Sequence, residues 1–351
     1  MNNTIAVFVG HTAVYWSGII IALGIAGGFL LSYSLYTAHS GRGNSMWVLL
    51  ALSLVIGVLL SRGVHWYCNQ EQYNGLVRAL TDYTGGSFWL PGALAGVVLA
   101  ALLVKAFGMA ESAGELLDAA APGMMLTVAH IRFSAVYTNA CRSMFTVQNR
   151  KLHLYPFASA DADAAGNVTW HFATFMFMAI AALVIFAVSM VMYYRRHAVK
   201  MKPPCSRTGN IARMTLVLYC VTELVLDSTR SDSVYVLFTF LQFLNKYVSF
   251  VSLTQLAAAV SVLAVMIYYA RCARRAKVNR SRRITCLVLY IVSLLGVGVT
   301  EYCVQRFTLA WRLCYALQSA SALLMAVAVS LLYASLRLHR VRRTFSAEQT
   351  N

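Results

Sequence analysis

The chain has 351 residues, of which 59% are hydrophobic and 12% charged, and its mean hydropathy is +0.64. That composition excludes an ordinary soluble domain. Apolar runs recur near the ~20 residues needed to cross a bilayer, without the alternation of a membrane barrel, so an all-α, polytopic membrane helical bundle is expected. The net charge of +17 would suit nucleic acid, but its distribution argues against that partner.

The sequence predicts nine membrane spans, at about 13–36, 46–67, 88–108, 118–140, 170–193, 210–227, 250–270, 284–304 and 311–335. No Lys or Arg precedes the first apolar run, so no cleavable leader is expected. With the N-terminus outside, most Lys and Arg fall on the cytoplasmic side: Arg42, Lys105, the basic stretch from Arg195 to Arg213, the connection from Arg271 to Arg283, and the tail from Arg337. This is the positive-inside pattern, with a cytoplasmic C-terminus, and it accounts for the charge without nucleic acid. Basic clusters beside spans also hold anionic membrane lipids.

In the first span, Gly18, Gly24, Gly27 and Gly28 are expected to let helices pack closely. The second span ends SRGVHWYC, with Arg62 three residues before His65 and so on one face with it. Arg62 either snorkels to the headgroups or binds an anionic ligand. Gly85, Gly86, Pro91 and Gly92 mark a bent entry to the third span. Pro122, His130 and Arg132 interrupt the fourth.

The outer loop that follows carries Arg142, Arg150, Lys151, His153, Asp161 and Asp163, and is expected to be a solvated loop or a cap over a headgroup. Trp170–His171 is expected to open the fifth span.

The sixth span ends in Glu223, Asp227, Arg230 and Asp232. The four- and three-residue spacings put Glu223, Asp227 and Arg230 on one face of a continuing helix, a candidate polar pocket at membrane depth. The segment 234–250, with Lys246, reads as an interfacial amphipathic helix. Glu301 and Arg312 are expected to pair across the last helical hairpin, and the end of the tail is expected to be disordered. The eight cysteines contain no pair three apart and no metal-ligand spacing, and spacing alone establishes no disulfide between Cys68 and Cys141.

Taken together, these features resemble the prolipoprotein diacylglyceryl transferases. The resemblance covers roughly residues 13–275. It rests on Trp16-Ser17-Gly18, Arg62, the turn from Gly85 to Gly92, Asp118 and Pro122 leading to Arg132, Gln255, and Asp227-Ser-Thr-Arg230-Ser-Asp232-Ser233. The last of these answers the Glu-x-x-Arg-Thr-Asp-Ser of family members. The chain departs from the family at several positions: Leu90 stands where the family has its catalytic His, Pro91 where it has Gly, Ser17 where it has Tyr, and Glu223 where it has a second essential Arg. Around Arg132 only the Arg of the signature remains.

The resemblance implies a core over 1–275, an appended hairpin over 284–336 and a basic cytoplasmic tail over 337–351. It implies a bacterial plasma-membrane enzyme moving a diacylglyceryl group from phosphatidylglycerol to the cysteine thiol of a lipoprotein precursor peptide. The reaction is an alkylation and needs neither metal nor nucleotide. Its nucleophile is a thiolate and its leaving group a glycerol phosphate.

The catalytic set implied is Arg132, Asp227, Glu223 and His65, with the carboxylates orienting arginines or acting as base, and His65 or His130 standing in for the missing His. Arg62, Arg132, Arg230, Asp232 and Gln255 are the implied headgroup ligands. The alternatives are a non-catalytic lipid- or lipoprotein-binding relative and, with weaker support, a small-solute transporter.

Overall fold

The computed structural model describes residues 4–9, 12–40, 43–68, 75–81, 88–138, 140–162, 166–198, 208–233, 251–305 and 310–348. The Gly85–Gly86 turn, Arg42, Asp163, Lys200, Lys202, Cys205, Arg207 and the 234–250 segment with Lys246 lie outside them.

The helices are α1 (Trp16–Ser40), α2 (Asn44–Cys68), the short α3 (Leu76–Thr81), α4 (Leu90–Ala106), α5 (Ala113–Phe133), α6 (Thr174–Ala198), α7 (Asn210–Leu226), α8 (Leu253–Arg275), α9 (Arg280–Gln305) and α10 (Trp311–Glu348). Each expected span overlaps one of them. By length and apolarity, six could cross a bilayer: α1, α2, α6, α8, α9 and α10. α4 is apolar but shorter. α5 and α7 carry Asp118, Arg132 and Glu223, all buried. They tolerate these charges because they sit at the centre of the bundle: α5 packs on α1, α4, α6 and α7, and α7 packs on α5, α6, α8 and α10.

Two antiparallel hairpins depart from the all-helical expectation. β1 (Ile5–Val9) pairs with β2 (Thr12–Tyr15) ahead of α1, and β3 (Ala158–Ala162) pairs with β4 (Val168–Phe172) ahead of α6. Trp170 and His171 therefore lie on a strand, and the helix starts only at Thr174. Short strands of this kind escape a search for span-length apolar runs. α10 runs on to Glu348, so the tail is helical that far, and residues 349–351 lie outside the described residues.

The glycines of α1 divide by face. A Cβ on Gly24 would clash with His130, and one on Gly28 would clash with Thr127 and the Gly123 carbonyl, so these two bring α1 against α5. Gly18 and Gly27 have nothing nearby and do not serve packing. His130 is thereby committed to the α1–α5 interface, its ring hydrogen-bonded to the Leu126 carbonyl at 2.9 Å.

At the start of α5, Asp118 accepts from the backbone N–H groups of Gly209 (2.7 Å) and Ala212 (2.9 Å) and pairs with Arg196 of α6. Gly209 has φ +84°, a left-handed conformation that a side chain would strain. One buried carboxylate thus caps the first turn of α7 and fastens it to α5 and α6.

Candidate active site

The other ends of α5 and α7 carry the main polar cluster. α7 stops at Leu226, a 3-10 turn covers Asp227–Thr229, and Arg230 is extended. Glu223, Asp227 and Arg230 therefore do not share one continuing helical face. The tighter turn and the extended residue instead swing the guanidinium back, with Nη1 donating to Asp227 Oδ1 and Nε to Asp232 Oδ1, each at 2.9 Å. Asp227 is wholly buried, and its second oxygen accepts from the Ser252 hydroxyl. Ser252 caps α8 in a reciprocal box with Gln255: Gln255 N donates to Ser252 Oγ at 3.0 Å, and Ser252 N donates to Gln255 Oε1 at 2.9 Å.

The segment after α7 is zipped to the loop after α5. Met144 N donates to Thr229 O, Ser231 N to Arg142 O, and Ser143 bridges Arg230. This pairing brings Cys141, held at φ 55°, between the two helix ends. Its N–H donates to Asp232 Oδ2 at 3.0 Å, and its sulfur accepts from Arg132 Nη1 at 3.2 Å. Burial raises the Asp232 carboxyl, but Arg230 facing it and the donated hydrogen bonds outweigh that and hold it below the ordinary aspartate value.

Arg132 Nη2 donates to Glu223 Oε1 at 2.7 Å, both side chains being almost fully buried. Tyr219, one turn earlier on α7, is buried beside this pair. Among the described residues, Arg132 Nε, Glu223 Oε2 and the Tyr219 hydroxyl make no hydrogen bond of good geometry, although the hydroxyl lies against both the Glu223 carboxylate and the Arg132 guanidinium. Loosely satisfied buried polar atoms around one ion pair fit a site that receives a polar group.

The structure therefore brings together Arg132, Glu223, Asp227, Arg230 and Asp232, with Gln255 joined through Ser252. Arg62 and His65 form a separate group on α2. Arg62 is buried, with its guanidinium 5.2 Å from the Phe88 ring centre, and His65 is half-buried close enough to feel its charge. The two groups connect through the entry to α4: Ser61 donates to the Trp89 carbonyl at 2.8 Å, and the Trp89 indole donates to Thr254, two residues beyond Ser252, at 3.2 Å. Leu90 opens α4 with Pro91 in its first turn. The expected Glu301–Arg312 pair is replaced: Glu301 accepts from Gln255, Gln318 and Gln305, and Arg312 lies over the Trp311 ring.

Sequence reasoning missed Ser252, Tyr219 and the role of Cys141. Ser252 had a readable signal, the Ser-x-x-Gln of a capping box ahead of an apolar run. Cys141 had none, because its place depends on the pairing of two loops distant in sequence. The described cysteines are all free thiols.

Residues 4–271 match the family model described as prolipoprotein diacylglyceryl transferase. A phosphatidylglycerol–prolipoprotein diacylglyceryl transferase of Acaryochloris marina (strain MBIC 11017) is 26% identical over 227 residues, which cover 64% of this chain and 78% of the relative.

Proposed function

This chain belongs to the prolipoprotein diacylglyceryl transferase family, and on that premise we propose that it transfers a diacylglyceryl group from phosphatidylglycerol to the cysteine thiol of a lipoprotein precursor at the outer leaflet of a bacterial plasma membrane. The observation that carries the reading is the buried Arg132–Glu223 pair, with the Tyr219 hydroxyl against it, next to the Asp227–Arg230–Asp232 cluster. The outer-leaflet assignment is supported by charge: this cluster lies at the ends of α5 and α7 opposite Lys105, Arg196 and Arg213, the end the positive-inside rule assigns to the cytoplasm.

In the proposed reaction the thiol proton passes to Glu223 Oε2, and sulfur bonds to the terminal glyceryl carbon. The carbon–oxygen bond to phosphate breaks, and its electron pair leaves with glycerol phosphate. Arg132 and Arg230 stabilise the charge that grows on that phosphate. Asp227 and Asp232 hold Arg230 in place. Glu223 is the better base on geometry than His65, because its carboxylate lies in the cluster beside Arg132 whereas His65 sits with the α2 group. Arg62 is assigned to the lipid headgroup at the Phe88–Trp89 side, and Gln255 to the support of Ser252 and Asp227.

The test is the purified protein in phosphatidylglycerol nanodiscs with a lipobox peptide, read by mass spectrometry for a thioether-linked diacylglyceryl group. Product that disappears with Arg132→Ala supports the proposal. Folded protein that binds the lipid but forms no product would instead establish the non-catalytic lipid-binding alternative, which the Leu90 replacement favours.

A further inference from the structure

We propose that Glu301 and Gln318, on the C-terminal helices α9 and α10 beyond the family match, are positioning residues that set the Asp227–Arg230 pair through Gln255 and Ser252. The inference rests on the reading of that pair as part of the transfer site.

Glu301 is buried in α9 and accepts on both oxygens: from Gln255 Nε2 (3.0 Å) and Gln318 Nε2 (2.6 Å) on one, and from Gln305 Nε2 (3.1 Å) on the other. A carboxylate only accepts. Together with the Leu224 carbonyl, which accepts from the same Gln255 nitrogen, it holds the Gln255 amide with NH2 toward Glu301 and oxygen toward the Ser252 N–H. Ser252 is then fixed at both ends, its N–H donating to Gln255 Oε1 and its hydroxyl donating to Asp227 while accepting from Gln255 N. Asp227 in turn orients Arg230. Every link is directional, so the orientation imposed at Glu301 is passed to the guanidinium without a break.

Gln318 reinforces the chain. Its amide also donates to the Leu224 carbonyl at 3.3 Å, as Gln255 does at 3.2 Å, tying α10 and α8 to the last turn of α7. The start of α10 braces the same region from outside. Tyr315 and Ser228 exchange hydrogen bonds at 3.1 and 3.2 Å, and Trp311 stacks on Phe145 of the loop that zips to Arg230, with ring centres 5.1 Å apart. The helical pair is thus built into the site rather than hung on the core.

The test compares wild type, Glu301→Gln, Ser252→Ala and the double variant in the same nanodiscs. A glutamine at 301 presents donors as well as acceptors and weakens the contact that draws the Gln255 amide into place beside Ser252. The expected result is a kcat about tenfold lower with KM unchanged, and a double variant no slower than Ser252→Ala alone, because both changes cut one chain. Independent multiplying losses would overturn the inference.

A second measurement does not need turnover. Hydrogen exchange of the amides from Asp227 to Ser233 should quicken in Glu301→Gln while those of α5 stay unchanged. Unaltered protection there sinks the inference even if transfer is slowed. A wild type that makes no product defeats the transferase reading, and the exchange result still decides the coupling. If Glu301→Gln does not assemble, Gln318→Met is read by the same two measurements.

Discussion

Arg132 and Glu223 face each other at 2.7 Å across the α5–α7 interface, with side chains only 6% and 4% exposed. Losing one partner leaves the other charged and buried. Glu223→Ala should therefore cost about 3–5 kcal/mol of stability, seen as a lowered unfolding midpoint in detergent. Replacing both, as Arg132→Met with Glu223→Leu, should recover most of that loss and still abolish transfer. A double variant as unstable as the single one would mean the pair is more than mutual compensation.

Arg230 uses two different nitrogens for two carboxylates, Nη1 for Asp227 and Nε for Asp232. A lysine keeps the charge but not the fork. Arg230→Lys should leave folding nearly unchanged and lower the transfer rate by about tenfold or more. Rates equal to wild type would show that charge alone suffices at this position.

The α1–α5 contact has a clean internal control. Gly123→Ala would drive a methyl into the Gly28 carbonyl and Ser32, and should destabilise by about 1–3 kcal/mol. Gly27→Ala, one residue from Gly28 on the open face, should be neutral. Equal effects of the two on the thermal midpoint would contradict the packing described.

Asp118 lies at the end of α5 away from Arg132. Asp118→Ala removes two backbone hydrogen bonds and the Arg196 pair and should cost about 2 kcal/mol. The variant should lose thermal stability while the folded fraction keeps its kcat and KM. A changed KM in the folded fraction would place Asp118 in substrate binding.

Asp232 supplies the pH expectation. Arg230 holds its carboxyl below the ordinary aspartate value despite burial. A carboxyl lowered on folding adds stability above its unfolded pKa and loses it as pH falls through the folded value. The Arg230–Asp232 contact should therefore persist unchanged from neutral pH through the ordinary aspartate range and give way only below it. Asp232→Asn removes that contribution, so the variant should be less stable than wild type at pH 7 and the gap should close as pH falls below the ordinary aspartate value. A gap between the two unfolding curves as large in acid as at pH 7 would contradict this.

The sequence was legible where the information is local. Span positions followed from apolar runs, and the Glu223–Asp227–Arg230 spacing pointed to the polar end of α7. What could not be read was which charge meets which. Arg132 is paired with a residue far along the chain, and that choice depends on how α5 and α7 cross. The face argument for Arg230 failed because it assumed the helix continued past Leu226, whereas a tighter turn brought the same groups together by another route. Glu301 was expected to pair with Arg312 across the hairpin, but glutamines from three helices took it, since neutral amides leave no charge pattern to notice. The small strands were lost beneath the stronger signal of membrane-length runs.

Asp118 secures one end of α7 and Glu223 the other, so α5 and α7 are clamped to each other at both extremities. The pair behaves as a doorpost and not as a door. Whatever movement the bundle makes around Arg132 therefore falls to its other helices, with this upright held still.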